Sequence, residues 1–480
     1  MTSQERGHKG DKRVFRRGEN QHYKEERKEM STELQPYPEY KDTDVEWLVS
    51  IPVNWNIVRT KGLFRLSIDK AAKEHGMELL SIYTHIGVRP RKDLEERGNK
   101  ASNTDGYWIV RNGDLIVNKL LAWMGAIGVS HYEGVTSPAY DILRPRKALD
   151  SDYYHYLFRT GTYLQQFKNR SRGIMEMRLR LYFDQFGQIP SLFPPMDEQN
   201  LIVNFLHNLD QKVSRFIRNR RGLIEILNEQ KQAIINKAVT QGLVPNVPLK
   251  PSGVDWLGDI PEHWDVLPLK RICKMKNGEG ITTFDIEEYG EYPVYGGNGL
   301  RGYTNSYTHD GYYVLVGRQG ALCGNVHLVS GRFWASEHAV VTTLQTGYCI
   351  DWFVSLLMAM ELNQYSISAA QPGLSVDRVI NLRAPIPPVE EQKEIAKSIK
   401  NETQTILKAF DRAQREIDLI REYRTRLISD VVTGKVDVRH LAPAPGSGDL
   451  EEKLNELEPL DEAAGEPVEE ALAEEVSYAD

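Results

Sequence analysis

Pro195-Met196-Asp197-Glu198-Gln199 and Pro388-Val389-Glu390-Glu391-Gln392 stand 193 positions apart and open two stretches of the same kind. Behind the first, Ile202, Leu206, Leu209, Val213, Phe216, Leu223, Leu227 and Ile234 recur at alternating intervals of four and three, with Arg220 and Gln230 where the pattern skips. Behind the second, the same frame carries Ile395, Ile399, Ile406, Ile420 and Leu427, with Glu402, Ala409, Ala413, Glu416 and Tyr423 between them. Heptads sustained over this length predict a coiled coil. At about 1.5 Å per residue, each helix of roughly 45 residues spans on the order of 65–70 Å. Prolines just ahead and Asp197 or Glu390 in the first turn mark the helix N-termini. Two core helices of an ordinary bundle would show similar spacing, but the length and position of these two favour a spacer.

The duplication extends upstream. Val45-Glu46-Trp47-Leu48, Ile51-Pro52 and Trp55 recur 209 positions on as Val254-Asp255-Trp256-Leu257, Ile260-Pro261 and Trp264. Leu115-Ile116-Val117 matches Val314-Leu315-Val316 at an offset of 199, and Asp152-Tyr153-Tyr154 matches Asp351-Trp352-Phe353 at the same offset. Offsets falling from 209 to 199 to 193 describe one unit duplicated, with two insertions in the first copy. A two-fold repeat of this size is too long for a solenoid. Each copy has short β-rich runs in its middle and helical text after them, so each is α+β. The tryptophans repeat beside Ile-Pro, which suits core packing or anchoring of the linker better than stacking on a ligand.

The expected organisation is a charge-rich disordered extension over 1–43, a globular region over 44–196, a helix over 197–242, and a Pro-containing linker over 243–252. A second globular region follows over 253–388, then a second helix over 389–438 and an acidic disordered tail over 439–480. Met30 is an alternative start. The net charge of -7 conceals a division: residues 449–480 hold thirteen acids and one base, which leaves the remainder at +5. A mildly basic body is compatible with nucleic-acid binding without requiring it. No apolar run reaches the length of a membrane span, and no signal-peptide core is present. Cys273, Cys323 and Cys349 have no CxxC spacing and read as reduced thiols of a cytoplasmic protein.

Catalytic motifs are missing from the sequence. There is no phosphate loop, no His/Cys set with zinc spacing, no GxSxG elbow, and no Asn/Asp-Pro-Pro-aromatic tetrapeptide for a flipped base. Gly297-Asn298-Gly299-Leu300-Arg301-Gly302 has the letters of a dinucleotide fingerprint. That fingerprint must open a helix, whereas Tyr303-Thr304-Asn305 follows and Asn-Gly is itself a turn signal.

The ordered duplicate set resembles the specificity subunits of type I restriction–modification systems over about residues 36–440. Glu-Trp-Leu…Ile-Pro…Trp opens each unit and Pro-x-x-Glu-Gln opens each helix. The second copy adds Tyr295-Gly296-Gly297-Asn298-Gly299, Gly317-Arg318-Gln319-Gly320 and Phe333-Trp334-Ala335-Ser336. The first copy carries Ser81-Ile82-Tyr83-Thr84 and Gly113-Asp114-Leu115-Ile116 in the same style. The resemblance implies two tandem α+β target-recognition domains, separated by two long helices that form an antiparallel coiled coil, with pseudo-two-fold symmetry. It implies a non-catalytic reader of a bipartite, gapped duplex DNA site. Two methyltransferase subunits would methylate adenine with S-adenosylmethionine, and restriction subunits would use ATP and Mg²⁺. This chain would hold no cofactor or metal of its own.

Base edges are read by Arg, Lys, Asn and Gln. The candidate DNA contacts are therefore Arg89, Arg91, Lys119, Arg170, Arg172, Arg178 and Arg180 in the first copy. In the second they are Asn298, Arg301, Arg318, Gln319, Arg332 and Gln371. Singly, each also reads as an ordinary solvated polar residue. Lys119 and Arg318 stand out because each lies two residues beyond the matched Leu-Ile-Val or Val-Leu-Val run. A protein-interaction scaffold with duplicated domains on a coiled-coil spacer is the alternative reading.

Overall fold

The computed structural model describes residues 34–73, 75–84, 86–93, 104–173, 179–320, 323–366 and 373–441. They pack as two compact units, one drawn from the described residues up to 219 and from 417 onward, the other from those between 220 and 416. The two long helices, Met196–Gln241 and Val389–Val432, each pass from one unit into the other. Each unit is therefore completed by one half of each helix.

In the first unit β1 (Tyr40–Asp42) pairs with β2 (Ser50–Pro52), and β3 (Asn56–Arg59) pairs with β12 (Pro190–Phe193). An antiparallel sheet runs in the order β4 (Phe64–Ser67), β11 (Tyr140–Pro145), β8 (Leu115–Asn118), β9 (Ile127–Val129). Two further antiparallel pairs pack against it: β5 (Leu80–Tyr83) with β6 (Gly87–Pro90), and β7 (Trp108–Val110) with β10 (Gly134–Thr136).

The second unit repeats this frame. β13 (Leu249–Pro251) pairs with β14 (Asp259–Pro261), and β15 (Asp265–Pro268) with β22 (Arg383–Ile386). Its six-stranded sheet runs β16 (Cys273–Asn277), β21 (Ala339–Leu344), β19 (His309–Gly317), β20 (Val326–Ala335), β17 (Tyr292–Gly296), β18 (Gly299–Thr304). β17 joins β20 in parallel, and the other neighbours are antiparallel.

The three sequence offsets reappear as strand register. Tyr40 faces Pro52, and Leu249 faces Pro261, with both partners moved by 209. Ile142 faces Ser67, and Val341 faces Lys276, one partner moved by 199 and the other by 209. Leu115 faces Leu143 and Val129, and Val314 faces Thr342 and Leu328, all moved by 199. Ile57 faces Leu192, and Val266 faces Pro385, moved by 209 and 193. A slip of one residue would turn each strand's apolar face outward, so shared register means a shared core. Tyr153 and Tyr154 in the first unit and Trp352 and Phe353 in the second are all fully buried at matching positions.

The helices pair antiparallel within each unit. In the first, Asp210 accepts from Arg424 Nε and Nη2 at 2.7 and 3.0 Å. In the second, Arg220 Nε lies 2.9 Å from Glu416 Oε2, so two of the three charged residues that interrupt the heptads pair with each other. Ile202, Leu206, Leu209, Val213, Ile395, Ile399, Ile406 and Leu427 are buried. Phe216, Leu223, Leu227, Ile234 and Ile420 are only half-buried. Ile217, Ile235 and Ile417 take the buried places beside them, and Thr403 replaces Glu402. The shift has two causes. A straight helix drifts from a strict seven-residue repeat, and a seam between two helices alone leaves part of each side chain in water.

Candidate nucleic-acid interface

The head of each long helix is an anchor built on the repeated tryptophan. Glu198 accepts from Trp55 Nε1 at 2.8 Å and from Asn54 Nδ2 at 2.7 Å, and it also accepts from the Tyr37 hydroxyl. Burial and this carboxylate push the Tyr37 hydroxyl well above the usual phenol range. Glu391 accepts from Trp264 Nε1 at 3.0 Å and lies 2.9 Å from His263 Nε2. The next residue clamps the helix to its own unit. Gln199 accepts from the Asp150 amide at 3.0 Å and donates to the Pro194 carbonyl at 2.8 Å. Gln392 makes the same two bonds, to Cys349 and Pro387, at 3.0 and 2.9 Å.

The tail of the opposite helix closes over the same tryptophan. Gly434 (φ +77°) lies where a Cβ would come within 2.6 Å of Pro52 and 3.0 Å of Trp55. Gly242 (φ +74°) occupies the matching place over Trp264, with Glu391 Oε1 at 3.1 Å and Trp264 at 3.2 Å from its would-be Cβ. The sequence motif is thus an anchor for the exposed loops and not part of them. Its signal was the repeat itself, and the two glycines, 192 residues apart, were legible in the same way.

Lys119 and Arg318 make one contact built twice. Lys119 Nζ donates to the Pro138 carbonyl at 2.8 Å, and Arg318 Nη1 approaches the Glu337 carbonyl at 3.4 Å, with donor and acceptor both moved by 199. The carbonyl of Lys119 accepts from Leu181 at 2.8 Å and that of Arg318 from Leu374 at 2.9 Å. Both side chains are half-buried, and Lys119 also faces Asp141 at 3.6 Å. Their shared place in the sequence reflects a strut that fixes the loop beyond the central strand. In the first unit that loop is held from behind by Arg159. Its guanidinium, pulled down to about 10 by burial, donates to the carbonyls of Gly125, Ile127 and Thr84 at 2.8, 3.0 and 2.6 Å.

The other candidates of the first unit fall in two places. Arg89 and Arg91 lie on and just after β6, where Arg89 Nη1 donates to the Tyr132 hydroxyl at 2.9 Å and Arg91 is half-buried. Arg172 and Arg180 exchange backbone hydrogen bonds at 2.9 Å, next to the Leu181–Lys119 link. Both are exposed, and Arg172 pairs with Asp184 at 2.8 Å. Arg170, at a helix end, donates to Gln166 at 2.5 Å. Arg178 lies outside the described residues.

In the second unit the fold gathers residues far apart in sequence. Gly297 and Asn298 form the turn between β17 and β18, where Gly296 faces Gly299. A strand follows this glycine run, where a dinucleotide site needs a helix. A Cβ on Gly297 would lie 3.1 Å from the His338 carbonyl and 3.3 Å from that of Gln319. The turn therefore lies flat on the Arg318–Gln319 loop. Asn325 Nδ2 donates to Asn298 Oδ1 at 3.2 Å, and His338 Nδ1 lies 2.9 Å from Gln319 Oε1. Arg301 is exposed on β18, its Cδ 2.5 Å from the place of a Cβ on Gly296. Asn298, Arg301, Arg318 and Gln319 thus form one surface, joined by Asn325, Glu337 and His338, which the sequence alone did not single out. Arg332 stands apart, ion-paired to Asp310 at 3.0 Å beside the Tyr307 ring at 5.1 Å. Gln371 lies outside the described residues, although Gly373 beyond it bridges to Gln319. Among the described residues no helix is long and apolar enough to cross a membrane. No group of His, Cys, Asp and Glu among them has the arrangement of a metal site.

Residues 261–414 match the family of type I restriction modification DNA specificity domains. The specificity subunit of the Escherichia coli type I restriction enzyme EcoprrI is 48% identical over 132 residues, covering 27% of this chain and 33% of that protein. The MjaVIII specificity subunit of Methanocaldococcus jannaschii is 22% identical over 428 residues, covering 82% of this chain and 95% of that protein. A solved chain, described under complex assembly and conformational transition of the type I R-M system, is similar in fold. Its TM-score is 0.53 at 13% identity, covering 80% of this chain and 98% of that one.

Proposed function

We propose that this chain, which belongs to the specificity subunits of type I restriction–modification systems, reads a bipartite duplex DNA target. Each unit takes one half-site, and the two long helices set the gap between them. The chain itself is a reader without catalytic groups. Adenine methylation with S-adenosylmethionine belongs to two partner methyltransferase subunits, and ATP- and Mg²⁺-dependent cleavage to partner restriction subunits.

The observation that carries this reading is the duplicated frame. The same strand registers, tryptophan anchors and Lys119/Arg318 struts occur twice. The surfaces they hold differ, with an Asn/Gln/Arg surface in the second unit and arginines in the first. A reader of two unlike half-sites needs a constant frame and variable edges, because phosphate contacts position while base contacts specify.

The test is selection from random duplex DNA by the complex purified on the tagged full-length chain. The expected product is two short half-sites at a fixed spacing. Absence of any enriched motif at low salt, where phosphate contacts are strongest, would return the chain to the scaffold reading.

A further inference from the structure

The shared strut places the next residue of each unit at the same point of the same loop. In the second unit that residue is Gln319, and in the first it is Leu120. The residues opposite differ in the same sense: Glu337 and His338 in the second unit stand where the first has Pro138 and Ala139. In the second unit these three side chains form a relay. Glu337 Oε1 lies 3.1 Å from His338 Nε2, and His338 Nδ1 lies 2.9 Å from Gln319 Oε1. As an imidazolium, His338 donates from Nε2 to the carboxylate and from Nδ1 to Gln319 Oε1, so the carboxylate orients the ring and the ring orients the amide of an exposed glutamine. The backbone beneath is fixed at three points: Arg318 N to the His338 carbonyl at 2.9 Å, the Arg318 carbonyl to Leu374, and the glycine turn at residue 297. A solvated glutamine loses side-chain freedom when held this way, so an orienting relay at an exposed position calls for a task.

We propose that Gln319 is a base-reading residue of the second unit, aimed by Glu337 and His338, and that positions 319 and 120 are where the two units are made to read different bases. This rests on the chain being a reader of duplex DNA. With Oε1 engaged by His338, Gln319 presents its Nε2 hydrogens, which fit the acceptor edge of a purine in the major groove. His338 and Glu337 are positioning residues. Leu120 offers an apolar surface at the matching place, suited to a thymine methyl group and not to a hydrogen-bonding edge.

The experiment is the same random-duplex selection, run with the full chain in its complex, for wild type, Gln319→Leu, Gln319→Glu and His338→Ala. Gln319→Leu should lose discrimination at one position of one half-site by about tenfold or more, with the other half-site and the gap unchanged. Gln319→Glu, close in shape, should turn that position from a purine acceptor towards the amino donor of cytosine. His338→Ala should blur the same position without moving the thermal unfolding midpoint, which a purely structural role would not do. Identical motifs from wild type and both Gln319 variants would overturn the assignment while leaving the DNA-reading function intact. No motif from wild type would overturn that function and the assignment with it.

Discussion

Asp150 shows how much one side chain can weigh at a junction. Its carboxylate caps the helix Ser151–Phe158 by accepting the Asp152 amide at 2.9 Å, and its own amide is held by Gln199. Burial, then the neighbouring Asp152 charge, pushes the Asp150 carboxyl up from 3.8 to about 6. A carboxyl raised in the folded state favours folding below its unfolded value near 3.8, and that contribution is lost as pH climbs through about 6. Asp150→Asn keeps the cap acceptor and removes the charge. Its unfolding free energy should exceed wild type at pH 7.5, by at most about 3 kcal/mol, with the gain, and the higher thermal midpoint that reports it, vanishing towards pH 4. A second residue-scale prediction concerns the tail glycines. Gly434→Ala combines a left-handed φ with a contact at 2.6 Å to the Pro52 ring, and should cost about 1–3 kcal/mol in unfolding titrations. Gly242→Ala meets a flexible carboxylate first and should cost less.

At the scale of elements, the polar pair Arg220–Glu416 is the informative interruption of the long helices. Replacing Glu416 alone by Leu removes the carboxylate shared by Arg220 and Arg412 and should destabilise. The double change Arg220→Leu, Glu416→Leu should be neutral or stabilising, since an apolar pair avoids the cost of drying two charges. Denaturant midpoints of the single and double variants decide it. Element existence was legible in the sequence because both long helices announce themselves by period, and the repeat offsets anticipated strand register residue by residue. Burial along the helices was less legible. Phe216 and Ile234 fit the heptad, but Ile217 and Ile235 are the buried neighbours, because a straight helix drifts from the seven-residue repeat and Ile235 also joins the core of the second unit. The base-reading candidates were least legible. Lys119 and Arg318 brace backbone carbonyls across the loop, and His338 entered only because β19 and β21 bring position 338 beside 318, a pairing no local pattern displays.

At the scale of the whole molecule, the proposed function makes the two long helices the ruler of the target. Inserting one heptad into both helices, near Arg220 and Ala413, should lengthen the gap and leave both half-sites as they were, as read by the same DNA selection. An unchanged gap would remove the ruler role. Replacing residues 44–196 by the equivalent part of another specificity subunit should alter one half-site alone.

One junction of the frame is covalent in one unit and not in the other. In the second unit the chain runs straight from the helix end at Gln241 through Val244 into β13. The matching place in the first unit is the backbone bridge between Gln35 and Asp437, flanked by the Tyr40 hydroxyl on the Gly434 carbonyl at 3.1 Å and Arg439 over the Tyr37 ring at 4.8 Å. The ribosome therefore meets the two units in one order and releases them complete in the other. The second unit has all its residues once Glu416 has emerged, while the first, begun earlier, waits for Ile417 to Asp437 to lie beside it. A nascent chain stalled at the point where Glu416 has just left the exit tunnel should already protect the second unit from protease and leave Trp55 and its neighbours uncovered, so that the half of the protein made first is the half that folds last.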